Sequence, residues 1–284
     1  MANPLPNHPQ LRGNYGPINF EASYDDIVIE GTVPSDLSGS LYRIGPNPKF
    51  VEGTYHWFFG AGMVHAFHVD QGKVGYVNRW VRTPKFEKEI ELGRGLNLEI
   101  NINTETGQIE SNRRNGVANT HILTHGDHLV ALEEGSHPFS MAPQSLQSQG
   151  YGHYADGIKG AMTAHPKIDP ETGELHGFGY MTDHFGSNTM TYHVIDRNGR
   201  MLRSDVFEAP YAAMVHDFMI TRDYVLFPLF PLTCDIDRIA QFGFPFAFDR
   251  SAGAYIGVLK RGAPVSSIRW LEAPVCYVFH YLNA

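Results

Sequence analysis

Histidine is the residue type with the most chemistry to offer in this chain: there are 15 in 284 residues, beside two cysteines, Cys234 and Cys276. Imidazole changes charge near neutral pH and is the commonest protein ligand for transition metals. Spacing narrows the choice. No HxH, HExxH or CxxC occurs, so zincin and zinc-finger sites are excluded. His216 and Asp217 adjoin, and neighbours in a strand point to opposite faces, so they do not read as a ligand pair. What remains is single histidines far apart: His165 in Thr163–Lys167 (TAHPK), His216 in Met214–Phe218 (MVHDF) and His280 in Val278–His280 (VFH). The gaps are 51 and 64 residues, about one structural repeat each, so each histidine would come from an inner strand and converge on a common axis. An all-imidazole site there would suit a divalent transition metal and leave coordination positions open. Most histidines in any fold are surface or hydrogen-bonded core residues, and spacing alone leaves both readings standing.

The elements that must carry these residues read as β. Apolar positions rarely recur at helical spacing without a Gly or Pro interrupting them, whereas alternating runs bounded by turns are common. Met63–Val69 turns at Asp70–Lys73 and returns as Val74–Val81; Thr189–Ile195 turns at Asp196–Gly199 and returns as Arg200–Phe207; His216–Ile220 turns at Thr221–Asp223 and returns as Tyr224–Leu229. Further turn signals fall near Gly107, Asp127, Gly173 and Gly253. That rhythm is the one of four-stranded antiparallel blades, and a β-propeller is preferred over a sandwich. At about 50 residues per blade the chain holds five to six blades, an incomplete ring. Residues 1–20, with four prolines and four asparagines, read as an extended arm, and 21–284 as the propeller domain. Residues 86–114 read as a crossover loop with a short helix around Glu87–Leu92.

Composition closes off other classes. Hydrophobic residues at 42% and charged residues at 18% exclude disorder as the main state. A net charge of −8 without a basic block argues against a nucleic-acid partner. The N-terminus lacks a basic and apolar leader, and the cysteines, read as small core hydrophobes, form no disulfide framework, so the expectation is a cytoplasmic chain. The aromatic segments Tyr224–Leu232 and Phe242–Phe248 read first as blade packing. As alternatives they would line a tunnel or touch a membrane peripherally. Lys167 and Lys260 read as ordinary solvated residues, and no residue stands out as a general acid or base.

Several motifs, in order, carry a resemblance: Leu41–Pro48 (LYRIGPNP), His56–Phe67 (HWFFGAGMVHAF), Gly116–Thr120 (GVANT), Ala164–Glu174 (AHPKIDPETGE), Val215–Phe218 (VHDF) and Phe279–Ala284 (FHYLNA). Together they closely resemble the carotenoid cleavage oxygenases, a family that includes lignostilbene dioxygenases and a retinoid isomerase. The resemblance implies an all-β, seven-bladed propeller and Fe(II) held by four histidines. His165, His216 and His280 match the first three ligands; the fourth falls beyond residue 284. It further implies that Glu134 orients a ligand imidazole, with Glu133 facing the other way. Thr120 and Phe58 would line the open iron position and the substrate. The implied reaction inserts O2 across a C=C bond of an apolar conjugated substrate, a carotenoid or apocarotenoid, giving two carbonyl products.

Two departures bear on this. The family's Gly-Asp-Gly-Met is Gly60-Ala61-Gly62-Met63 here, which removes a carboxylate from a tight turn. The stilbene-cleaving branch resembles this chain less at its phenol anchor: the lysine position holds Glu133, and residues 81–120 contain no Tyr. That favours apolar polyenes over hydroxystilbenes. The competing readings are a stilbene-cleaving enzyme of the same family and a non-catalytic propeller remnant lacking the fourth ligand.

Overall fold

The computed structural model describes residues 5–53, 55–96, 101–102, 108–110, 112–242 and 244–282. The chain divides into two compact units, one of residues 1–99 and 114–154, the other of 100–113 and 155–284. Among the described residues each unit is built on two four-stranded antiparallel sheets, and two short two-stranded pairings complete the β structure. This is a mostly β protein; among the described residues four four-stranded sheets are present where the length arithmetic gives five to six blades.

In the first unit, one sheet runs Ala22–Tyr24, Lys73–Trp80, Gly62–Asp70, Gly39–Pro46 across its width. Its central hairpin forms where alternation and turn chemistry agree. Asp70 pairs with Lys73, and Gln71 and Gly72 take φ of 47° and 78°, the left-handed pair that matches the twist of a two-residue hairpin. The other sheet is a meander of His121–His125, His128–Leu132, Phe139–Met141 and Ser148–Tyr151. The arm before the first strand carries two 3-10 turns, Pro9–Leu11 and Gly13–Tyr15. Asn47 holds it, accepting from the Ile18 N–H at 2.7 Å and donating to the Ile18 carbonyl at 2.8 Å.

The turn that lacks the expected carboxylate is held from elsewhere. Asn119 Nδ2 donates to the carbonyls of Phe58 and Gly60 at 2.9 and 2.7 Å, and Ala61 is buried. A Cβ on Gly62 would lie 2.1 Å from the Ala118 carbonyl oxygen, so only glycine admits this approach. The crossover does begin with a helix, Pro84–Leu92. Thr83 accepts from the Phe86 N–H, Pro84 occupies the first turn and Gly93 closes it at φ 66°, the expected start and stop signals. The turn signal at Gly107 lies outside the described residues.

In the second unit, Lys167–Ile168, Leu175–Tyr180, Thr189–Ile195 and Met201–Glu208 form one meander. Met219–Ile220, Tyr224–Leu229, Ala254–Lys260 and Arg269–Ala273 form the next. Between the second and third strands of the latter, an excursion carries the hairpin Leu232–Cys234 with Phe246–Phe248 and a helix, Asp237–Phe242, that alternation did not announce. The oily run from Tyr224 is core: Val225, Phe227 and Leu229 are buried while Tyr224 faces out. Phe178, Phe218 and Phe227 pack together at ring separations of 5.1 to 6.4 Å, and full burial of each such ring contributes about 1.5–3 kcal/mol. Gly253 closes a 3-10 turn, Arg250–Ala252, instead of a hairpin. Cys234 is half-buried and Cys276 exposed, so Cys276 is not a core residue. No helix among the described residues is long and apolar enough to cross a membrane.

Candidate metal centre

The second unit brings three of the single histidines to one point. His165 and His216 place their Nε2 atoms 2.8 Å apart, and His216 and His280 place theirs 3.2 Å apart. The rings meet edge to face, at 62° to 87°. His165 and His216 are half-buried and His280 is exposed. Donors on a first-row ion bonded at about 2.1 Å sit roughly 3 Å apart when cis. The spacing and the all-imidazole donor set therefore fit a divalent transition metal.

None of the three lies within a strand. His165 sits in a bend two residues before Lys167–Ile168, His216 three residues before Met219–Ile220, and His280 in coil after Arg269–Ala273. The strand expected from His216 is shortened to Met219–Ile220. At His165 the cause is local. Pro166 has no N–H for a ladder, and the His165 N–H is taken by Thr163 Oγ1 at 3.0 Å. The segment is fixed at Thr163, whose N–H donates to the Phe178 carbonyl. Around His216, Val215 and Phe218 are buried on either side, and the Phe279 ring lies 5.5 Å from the imidazole.

Two side chains that sequence reasoning passed over tie these segments together. Asp217 is buried and accepts at Oδ1 from Lys167 Nζ and from the Phe218 N–H, both at 2.8 Å. Its Oδ2 accepts from the Tyr281 N–H at 3.0 Å. Lys167 is not a solvated surface residue: its side chain is 21% exposed and is paired with that carboxylate. The adjacency of His216 and Asp217 was the available signal, since it puts one side chain in the triad and the other in the packing beneath it.

The remaining named residues belong to the first unit. Thr120 is exposed, precedes His121–His125 and donates to Asn119 Oδ1 at 3.0 Å. Phe58 is exposed, in a 3-10 turn, with its ring on Trp57 and edge-on to His56. Glu133 and Glu134 both follow the end of His128–Leu132, so strand alternation does not divide them. The Glu133 carboxylate accepts from Ser136 Oγ and from the Val117 N–H. Burial raises its pKa above the usual carboxylate range despite those donors. Two other histidines are held in the core of the second unit: His193 is fully buried and engages the Ala161 carbonyl and Ser204. His176 is bonded to Tyr192, and burial, then the Arg261 charge, lowers its pKa to about 4.

Known proteins align with this arrangement. Residues 15–284 match the family model described as Retinal pigment epithelial membrane protein, and the chain belongs to that family. Isoeugenol monooxygenase of Pseudomonas putida is 37% identical over 98% of this chain and 59% of its own length. The crystal structure of a Pseudomonas brassicacearum lignostilbene dioxygenase superposes with a TM-score of 0.84 at 35% identity, covering 96% of this chain and 57% of that one. A cobalt-substituted apocarotenoid oxygenase from Synechocystis superposes with a TM-score of 0.75 at 28% identity, over 93% and 58% of the two chains. The chain thus spans under two thirds of the length of these relatives.

Proposed function

We infer that the protein is a non-haem Fe(II) oxygenase that cleaves a C=C bond of an apolar conjugated substrate into two carbonyl products, on the seven-bladed propeller that the family resemblance implies. The observation that carries this is the convergence of the His165, His216 and His280 Nε2 atoms in a chain of this family. Bound iron would supply the chemistry of O2. The three neutral imidazoles would hold the ion without cancelling its charge, and Phe279, whose ring lies 5.5 Å from that of His216, would supply apolar surface beside them. Glu134 supports a ligand imidazole in this reading, and Thr120 and Phe58 line the open position and the substrate. An apolar substrate of this kind partitions into lipid, and the exposed rings of Phe244 and Phe248 are the residues that would touch a membrane.

An apocarotenoid is the preferred substrate class, because Glu133 stands where the stilbene-cleaving branch has a cation, and its carboxylate is already engaged by Ser136 and Val117. A phenolic aryl alkene is the second reading, favoured by relatives named isoeugenol monooxygenase and lignostilbene dioxygenase. Iron-loaded protein is incubated with an apocarotenal, a hydroxystilbene and isoeugenol, and aldehydes are quantified by chromatography. The expected result is fastest release from the apocarotenal. Release only from the phenolic substrates selects the second reading, and an iron-loaded protein that cleaves none of them is a non-catalytic binding protein.

A further inference from the structure

The triad rests on three coil segments separated by 51 and 64 residues. Coil does not hold a spacing of about 3 Å unaided, because each segment has its own conformational freedom to lose. One side chain contacts all three. Asp217 directly follows His216. Its Oδ1 accepts from Lys167, two residues past His165, at 2.8 Å. Its Oδ2 accepts from the N–H of Tyr281, which directly follows His280, at 3.0 Å.

Resting on the reading of the triad as a metal centre, we propose that Asp217, neutralised by Lys167, is the positioning residue that sets the mutual spacing of the three ligand segments before an ion is bound. A buried carboxylate without a countercharge is strongly unfavourable, and Lys167 removes that penalty while tethering the His165 segment. The Phe218 N–H fixes the carboxylate against its own backbone, so the other two bonds report directly on where the neighbouring segments lie. Both oxygens are committed to these donors, which makes Asp217 a brace and not a ligand. Supporting groups of this kind hold ligands within the narrow tolerance that affinity requires.

The test uses Co(II) alone as the probe, titrated into the protein and followed by calorimetry and by the visible absorption of the bound ion. Asp217→Asn is expected to weaken Co(II) binding by roughly 10–100-fold and to change the visible spectrum. Lys167→Met should weaken it to a smaller degree, and Lys167→Arg should restore it. Arg82→Ala, which breaks ion pairs with Glu21 and Glu87 inside the first unit, serves as the control for general destabilisation and should leave the cobalt spectrum unchanged. If the wild type binds tightly and Asp217→Asn binds as tightly with the same spectrum, the positioning role is overturned and the metal centre stands. A wild type that binds no cobalt overturns the metal centre itself. Should Asp217→Asn fail to fold, Lys167→Met against Lys167→Arg decides by the same two readouts.

Discussion

The His216 Nε2 has hydrogen-bond-range contacts with the Nε2 atoms of both His165 and His280, which places it in the middle of the donor set. Its replacement should be felt more than loss of a supporting residue: His216→Ala is expected to reduce Co(II) affinity by more than about 100-fold, beyond the range typical of outer partners, as measured by calorimetry. Glu133 sets a different problem, because burial raises its pKa in the folded chain. The unfolded carboxyl titrates near 4.3, so between that value and the raised one the folded state holds more protons than the unfolded state. Stability must therefore fall as pH rises through that window. Glu133→Gln keeps an acceptor for the Val117 N–H and cannot ionise. It should raise the melting temperature at neutral pH, with the gain vanishing near pH 4; a gain independent of pH would show that ionisation of Glu133 is not the cause.

At the scale of elements, the polar link between the two meanders of the second unit does more than pack them. Arg261, just past Ala254–Lys260, meets Asp169 at 2.5 Å and His176 Nε2 at 3.0 Å, and Asp169 also accepts from the N–H groups of Glu171 and Thr172 in the turn before Leu175. The pair is mostly enclosed, with side chains 18% and 9% exposed. Arg261→Ala should cost about 2 kcal/mol, read from the urea midpoint; a cost under about 0.5 kcal/mol, the usual surface value, would mean that apolar contacts alone join these sheets. His176 adds a pH dependence of opposite sign to that of Glu133. Its pKa falls from 6.5 to about 4 on folding, so the unfolded chain takes up the proton first and stability declines as pH drops from 6.5 toward 4. His176→Gln should flatten that decline. Sheets were legible where local signals agreed, as at Gln71-Gly72 in the first unit and at Arg197-Asn198-Gly199 in the second, because short turns and alternation are encoded within a few positions. The coil setting of His165 was not, since Pro166 and the Thr163 hydroxyl override the strand pattern. Nor was the role of Asp217, whose partners lie 50 and 64 residues away in the chain and are joined to it only by the packing of successive sheets.

For the molecule as a whole, the triad residues His165, His216 and His280 lie in the second unit, and Glu134, Thr120 and Phe58, which only the family resemblance adds to them, lie in the first. A bound ion must stabilise the folded state by its affinity for that state alone, about 2.7 kcal/mol at a hundredfold excess over Kd, but where the stabilisation appears depends on which residues it enlists. Hydrogen exchange with and without Co(II) separates the cases. Protection is expected to rise across residues 161–168, 214–220 and 277–282, which carry the triad and its brace. If Glu134 supports an imidazole, the turn at residues 133–136 gains protection in the same titration, although its strand, His128–Leu132, contributes no ligand. Gains confined to the second unit would remove Glu134 from the centre and leave a three-histidine site supported by Asp217. Gains at none of the three histidine segments would separate the convergence of the imidazoles from metal binding altogether, because an ion held by those nitrogens cannot bind without slowing the opening of the backbone that presents them.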